Sequence, residues 1–102
     1  MKTINITATP NQSLSVQIDS LRYDIRLKET NGIMSIDLAR DNIDIVIGSR
    51  LVAGQPVISY LYQEDGNFFL STMNDDLPDY TKFGVSQFLY YFTATELLTI
   101  RA

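Results

Sequence analysis

The side chains that could do chemistry in this 102-residue chain are mainly carboxylates, because the sequence contains no histidine and no cysteine. The lack of both residue types excludes disulfides, thiolate nucleophiles, Cys/His zinc sites and Ser-His or Cys-His catalytic pairs. An enzyme of this sequence would need a carboxylate, lysine or tyrosine mechanism. The one conceivable base pair is Lys82 with Tyr80, and nothing else in the sequence supports it. We therefore expect no enzymatic activity.

The densest group of carboxylates lies in the turn-rich segment 74–79, which contains Asp75, Asp76 and Asp79. Carboxylate oxygens are the ligands that calcium prefers. The segment lacks the alternating ligand spacing of an EF-hand loop, however, and Asn, Asp and Pro are also the ordinary residues of turns. The composition favours a solvated loop, and no cofactor or metal is predicted.

Three further sets of residues that could suggest chemistry have simple structural interpretations. Asp41 and Asp44 would point to opposite faces of a strand, so joint acid/base chemistry is not expected. The pair 64–65 (Glu-Asp) lies in a hairpin turn, where nothing nearby would raise a carboxyl pKa. The segment 54–56 (Gly-Gln-Pro) has one glycine and no following Gly-Lys-Ser/Thr, so it is not a phosphate-binding loop. It is typical of a corner at the entry to a strand.

The net charge of −4 is unevenly distributed along the chain. Residues 1–50 hold six basic and six acidic side chains, whereas residues 51–102 hold two basic and six acidic ones. Nucleic-acid binders need clustered cations that displace counterions from phosphate, and anionic membrane surfaces attract the same clusters. Specific nucleic-acid binding is therefore not predicted, nor is membrane insertion, since no apolar run approaches the roughly 20 residues of a span.

The elements that must position these residues are strands, because the apolar residues recur with a period of two. The clearest example is segment 20–29, in which alternate apolar side chains face one way and charged ones the other. Asn31-Gly32 then provides a strong hairpin signal, since both residues tolerate positive φ. The pattern predicts strands at about 4–8, 14–18, 20–29, 33–40, 43–47, 57–62, 67–73, 88–92 and 97–100.

Short strands with regular turn signals predict an all-β fold, a small antiparallel β-sandwich or barrel of about 7–9 short strands. We expect a bulge or chain reversal near Gly48-Ser49. Segment 94–100 is the weakest strand prediction, because its Ala, Glu and Leu content also suits a helical turn. The length predicts a single β domain over 1–102, and the N-terminus lacks the apolar core of a signal peptide, so a cytosolic origin is expected.

Ten of the eleven aromatic side chains lie after residue 59, and only Tyr23 precedes it. An aromatic β-surface can stack nucleobases, but it needs interleaved cations, and this half of the chain has two. Tyr and Phe are also enriched in cores and at protein interfaces. The distribution favours a core together with a protein interface.

The strands after residue 56 carry apolar side chains on both faces, although a domain of this size has one core. A second apolar face left in water would exceed the patch usual for a monomer. We therefore predict that one face is covered by another chain. The predicted interface residues are Ile58, Tyr60, Tyr62, Phe69 and Tyr91.

One stretch of the chain resembles a known family. The corner motif consists of Leu51, Val52, Ala53, Gly54 and Gln55. It is preceded by the strand 20–27 and followed by a short hairpin, an Asp-rich loop ending in Phe83-Gly84, and the aromatic strand 89–92. This order, over about 14–93, resembles the baseplate plug family of contractile-tailed bacteriophages, named from a cyanophage baseplate.

The resemblance implies an all-β structural protein of the virion, lodged at the tube–hub axis of the tail baseplate and without enzymatic activity. The implied partners are the tail tube and the baseplate hub or spike proteins, with several copies in the assembly. It also implies synthesis in the cytoplasm of the bacterial host. The alternative is a free-standing small β-barrel that binds carbohydrate or single-stranded nucleic acid through its tyrosines.

Overall fold

Two antiparallel sheets face one another across a shared core. The computed structural model describes residues 2–18, 20–58, 66–73 and 76–101. Within these ranges it contains seven strands and one helix, and the prediction of a small all-β sandwich is confirmed. The elements are β1 (Lys2–Ile4), β2 (Gln12–Ile18), β3 (Leu21–Thr30), β4 (Ile33–Arg40), β5 (Ile43–Arg50), β6 (Gly66–Ser71), β7 (Phe88–Thr93) and α1 (Ala94–Arg101).

The larger sheet has the strand order β2-β3-β4-β5, and tight turns join β3 to β4 and β4 to β5. Asn31 and Gly32 between β3 and β4 both have positive φ, at 52° and 80°, and Asp41 and Asn42 between β4 and β5 do likewise, at 50° and 67°. Two consecutive residues of positive φ match the right-handed twist of the flanking strands. The turn residues in the sequence therefore explain both hairpins.

The pairing of β5 with β4 is interrupted by two register shifts, which fall between Ile36 and Ala39 on the β4 side. Gly48, at φ 61°, lies in this irregular part, and its N–H donates to Asp37 Oδ1 at 2.5 Å. The carboxylate thus satisfies an amide that the bulge has removed from the ladder. The predicted irregularity near Gly48 is a bulge.

The smaller sheet has the order β1-β7-β6. The free edge of β6 is covered by the segment that follows β5, since the Gly54 N–H donates to Leu70 O at 2.9 Å and the Val57 N–H donates to Phe68 O at 3.0 Å. Val57 and Ile58 are not part of a strand, so the predicted strand 57–62 is wrong in its described part. Its remainder and the predicted turn at 64–65 lie outside the described residues.

Aromatic rings join the two sheets in the core. Tyr23 of β3 packs edge-on against Phe68 of β6, with centroids 5.1 Å apart, and lies 5.8 Å from the ring of Tyr91 on β7. Phe68 and Tyr91 complete the group at 5.0 Å. Such aromatic pairs stabilise a fold beyond their buried area. Some of the aromatic residues that follow residue 59 therefore pack in the core and hold the two sheets together.

Residues 94–101 form a helix, so the predicted final strand at 97–100 is wrong and the alternative of a helical turn is correct. Thr93 and Glu96 form a capping box: the Thr93 N–H donates to Glu96 Oε1 at 2.9 Å, and the Glu96 N–H donates to Thr93 Oγ1 at 3.2 Å. The helix lies against β6 and β7 and buries Leu97. No helix of the described ranges is long and apolar enough to cross a membrane.

Candidate protein interface

The outer face of the smaller sheet carries a row of aromatic side chains. Along β7, Leu89 and Tyr91 point into the core, and the residues that alternate with them, Phe88, Tyr90 and Phe92, point outward, because successive side chains of a strand alternate. Phe69 of β6 pairs with Tyr90 and lies on the same outer face. We call the four half-buried outward rings the outer aromatic surface: Phe69, Phe88, Tyr90 and Phe92.

The rings of the outer aromatic surface contact one another. Phe69 and Phe92 meet edge to face with centroids 5.4 Å apart, and Phe88 lies 6.3 Å from Tyr90. Three strongly exposed apolar side chains lie in the connection between β6 and β7: Met73, Leu77 and Val85. Protein-binding surfaces are enriched in aromatic residues and Met, whereas single exposed apolar residues are common on any protein surface. The contacting rings therefore make the outer face of the smaller sheet a candidate surface for another protein.

The five predicted interface residues occupy different places. Phe69 lies on the outer aromatic surface, whereas Ile58 is fully buried and Tyr91 is 3% exposed. Neither buried side chain can contact a partner of the folded chain, so the structure contradicts these two assignments. Tyr60 and Tyr62 lie outside the described residues. The expectation of a second apolar face now rests on the half-buried outward residues of β7.

Ile58 is buried because a polar side chain holds its backbone against β6. Asn67 Oδ1 accepts from the Ile58 N–H at 2.8 Å, and Asn67 Nδ2 donates to Ile58 O at 2.7 Å. Oδ1 also accepts from the Phe68 N–H at 2.8 Å. Asn67 itself is fully buried. At residue 58 the side-chain amide of Asn67 thus takes the place of backbone hydrogen bonds to a neighbouring strand. The buried Asn67 therefore has a structural function.

The corner motif connects the two sheets. Leu51 is buried, and its N–H donates to Met34 O of β4 at 2.9 Å. Three residues later, the Gly54 N–H donates to Leu70 O of β6, and Gly54 has a φ of 74°. Within five residues the chain thus changes from one sheet to the other, and Gly54 supplies the left-handed backbone that the change requires. The motif has a structural role, while Val52 and Gln55 remain exposed.

The described part of the acidic loop uses its carboxylates internally. Asp79 Oδ1 accepts from the N–H and the hydroxyl of Thr81, at 3.0 and 2.8 Å, and these bonds lower the pKa of Asp79. Asp76 Oδ2 pairs with Lys82 Nζ at 3.0 Å, which raises the pKa of the lysine. Lys82 is therefore engaged with Asp76, and Tyr80 packs against the core. Asp75 lies outside the described residues.

A buried glutamine anchors the same loop from the core side. Gln87 is fully buried; its Oε1 accepts from the Asp79 N–H, and its Nε2 donates to Leu77 O, both at 2.9 Å. Across residues 2–18, 20–58, 66–73 and 76–101, no group of three or more acidic side chains is arranged to hold a metal ion. These bonds hold the described part of the acidic loop, residues 76–79, against Gln87.

A groove of about 810 Å³ lies on the outer face of the larger sheet. Its charged side chains are partly neutralised by ion pairs, with Lys28 Nζ 3.0 Å from Asp37 Oδ2 and Arg22 Nη2 3.2 Å from Asp24 Oδ1. None of the described residues that line the groove is aromatic. The groove therefore offers a ligand no ring to stack on and no concentrated positive charge.

The fold and its surfaces define a small β-sandwich domain, in which polar side chains organise the backbone and half-buried aromatic rings line the outer face of the smaller sheet. The chain belongs to the family described as cyanophage baseplate Pam3 plug gp18, whose model matches residues 1–95. This match confirms the family resemblance of the sequence and extends it to β1. No curated protein matches the chain.

Proposed function

We propose that this chain is a structural subunit of a bacteriophage contractile tail, and that it plugs the baseplate at the axis where the tail tube meets the hub. Membership of the plug family supports a baseplate protein of the virion tail. The partners in this proposal are tube and hub or spike proteins, with several plug copies per baseplate, made in the host cytoplasm. The proposal includes no catalytic step.

The observation that carries the proposal is the outer aromatic surface. Four aromatic rings share the outward face of a three-stranded sheet, where a free-standing monomer would normally place polar side chains. Large amphipathic rings are the residues that contribute most to protein–protein binding energy. A subunit held within an assembly has a use for such a face.

The proposal is tested by replacing two paired rings. In the double variant Phe69→Gln and Tyr90→Gln, both residues of one cross-strand pair lose their apolar area, and we expect co-purification with recombinant tube or hub protein to fall at least tenfold. The matched control is Ile43→Gln with Ile47→Gln, which removes two exposed apolar side chains from β5. Circular dichroism checks that both variants stay folded.

The outcomes separate cleanly. Loss of binding in the ring variant together with binding by the control supports the proposal. Equal binding by the wild type and both variants removes the outer aromatic surface from the interface. If the wild-type chain binds neither tube nor hub protein, the plug function itself is rejected.

The alternative function, a module for carbohydrate or single-stranded nucleic acid, predicts a different result. Oligonucleotides or glycans titrated at low salt would then change the tyrosine fluorescence of the wild-type chain. The partly neutralised groove on the larger sheet gives this alternative little support.

A further inference from the structure

The four sheet edges of the described chain differ in how they are protected. An unpaired strand edge is a template for another strand, and proteins protect edges with short strands, charges, bulges or covering segments. β1 has three residues, β5 is bulged and carries Asp44 and Arg50, and β6 is covered by the segment after the corner motif. β2 differs from all three.

β2 (Gln12–Ile18) is a regular strand of seven residues with the sequence QSLSVQI, without charge or proline. It pairs with β3 through all seven positions without a register shift. It is the last strand of its sheet, and no described residue forms a backbone hydrogen bond with its outer edge. An edge with these properties is open to strand addition.

We propose that β2 pairs in antiparallel fashion with β2 of a second copy of this chain, which joins two four-stranded sheets into one. The pairing that uses the whole strand places the two-fold axis at Ser15 and sets each residue opposite its mirror position. Leu14 of one copy then lies opposite Val16 of the other, and Ser13 lies opposite Gln17. Within 13–17 polar residues meet polar residues and aliphatic residues meet aliphatic ones, whereas the terminal pair sets Gln12 opposite Ile18.

Burial supports a second copy as the occupant. Leu14 and Val16 point to the core side of β2, yet both are half-buried, because no strand continues the sheet beyond them. Pairing across the axis would cover these side chains in both copies at once. The strand also carries no charge, so a chain with a net charge of −4 meets no like-charged side chain along this edge. This inference does not depend on the proposed tail function.

The test uses charges at positions 13 and 17, which are exposed and lie opposite one another across the proposed axis. In Ser13→Glu with Gln17→Glu, each introduced acid faces an acid of the other copy. Within one chain the same acids lie opposite Arg26 and Arg22 of β3, so the fold is not weakened. The matched control, Ser13→Glu with Gln17→Lys, places opposite charges across the axis; its lysine lies opposite Arg22 of β3, so circular dichroism checks that this variant is folded.

Sedimentation velocity over a series of protein concentrations is the measurement. We expect the wild type to pass from monomer to dimer as its concentration rises, and the double-acid variant to dissociate about tenfold more readily. The control should dimerise at least as well as the wild type. A wild type that stays monomeric overturns the proposal, as does association that the double-acid variant retains unchanged or that both variants lose equally.

Hydrogen exchange locates the contact independently. Alternate amides of residues 12–18 should gain protection in the dimer, because alternate N–H groups of an edge strand point away from its neighbour. Protection that develops on the outer aromatic surface instead overturns the proposal. Protection of β2 only when a tube or hub protein is present assigns the edge to that partner and rejects self-pairing.

Discussion

Asn67 binds the backbone of Ile58 through both polar atoms of its amide, with Oδ1 accepting from the N–H at 2.8 Å and Nδ2 donating to the carbonyl oxygen at 2.7 Å. Both residues are fully buried. The side chain thus imitates the two hydrogen bonds of a strand neighbour, and it fixes the end of the corner segment to β6. A buried backbone amide and carbonyl without a partner would each destabilise the fold.

Replacement of Asn67 by alanine should therefore lower the free energy of unfolding by at least about 2 kcal/mol, since each buried group left without a partner costs about 1–3 kcal/mol. Urea unfolding followed by circular dichroism measures the loss. Ser71→Ala, at an exposed position of the same strand, should stay within about 0.5 kcal/mol of the wild type. Similar values for the two variants would contradict the proposed function of the amide.

Gly66 lies directly against the ring of Tyr91, and a Cβ at position 66 would overlap the phenol. Gly66→Ala should destabilise the fold by about 1–3 kcal/mol, as overpacking does. The overlap depends on the ring, so the alanine should cost less in a Tyr91→Leu background. A double-mutant cycle measured by thermal unfolding should give a coupling energy of about 1 kcal/mol or more. Equal costs in both backgrounds would show that the ring is not the cause.

The Asp37 carboxylate makes the stability of the bulge dependent on pH. The Gly48 N–H, and then the Lys28 ammonium, hold its pKa below the usual value. A carboxyl group with a lower pKa in the folded state binds fewer protons there than in the unfolded chain. Its stabilising contribution is therefore complete above the unfolded pKa of about 4 and is lost as the pH falls through the folded pKa.

Asp37→Asn should consequently be less stable than the wild type at neutral pH, and the difference should shrink in acid, below the pKa of the folded wild-type carboxyl. The asparagine oxygen can still accept from Gly48, but it cannot form the ion pair with Lys28. Urea unfolding at a series of pH values measures the effect, with Asp44→Asn on the neighbouring strand as the control. A difference between wild type and variant that stays constant with pH would refute the linkage.

The larger sheet was predicted well from the sequence, because its strands and turns are determined by residues close together in the chain. Alternating side chains on β3 and the Asn31-Gly32 turn define the hairpin of β3 and β4 without information from distant residues. The period of two on β7 likewise divides its side chains into two sets on opposite faces, without showing which set lies in the core. The protein interface on that surface stays a prediction.

The parts that sequence reasoning missed depend on contacts between distant segments. Ile58 is buried by Asn67, and Gln87 anchors the loop at Asp79, yet an isolated Asn or Gln in a sequence has no signal that it will be buried. Tyr91 was predicted to face outward, which is wrong. Both faces of β7 are apolar, so the sequence alone does not show which face lies in the core. The helix start was detectable, since Thr93 and Glu96 have the spacing of a capping box.

The last prediction concerns the phenol of Tyr23, a fully buried ring between Phe68 and Tyr91. Among the described residues its hydroxyl has no hydrogen-bond partner. Tyr23→Phe should therefore leave the free energy of unfolding unchanged or raise it by about 1 kcal/mol, because it removes a buried polar atom and keeps the ring. Tyr23→Ala, the matched control, should lose about 3–5 kcal/mol with the ring packing. If thermal unfolding shows a large loss for Tyr23→Phe, the hydroxyl makes a stabilising bond and this assignment of its environment fails.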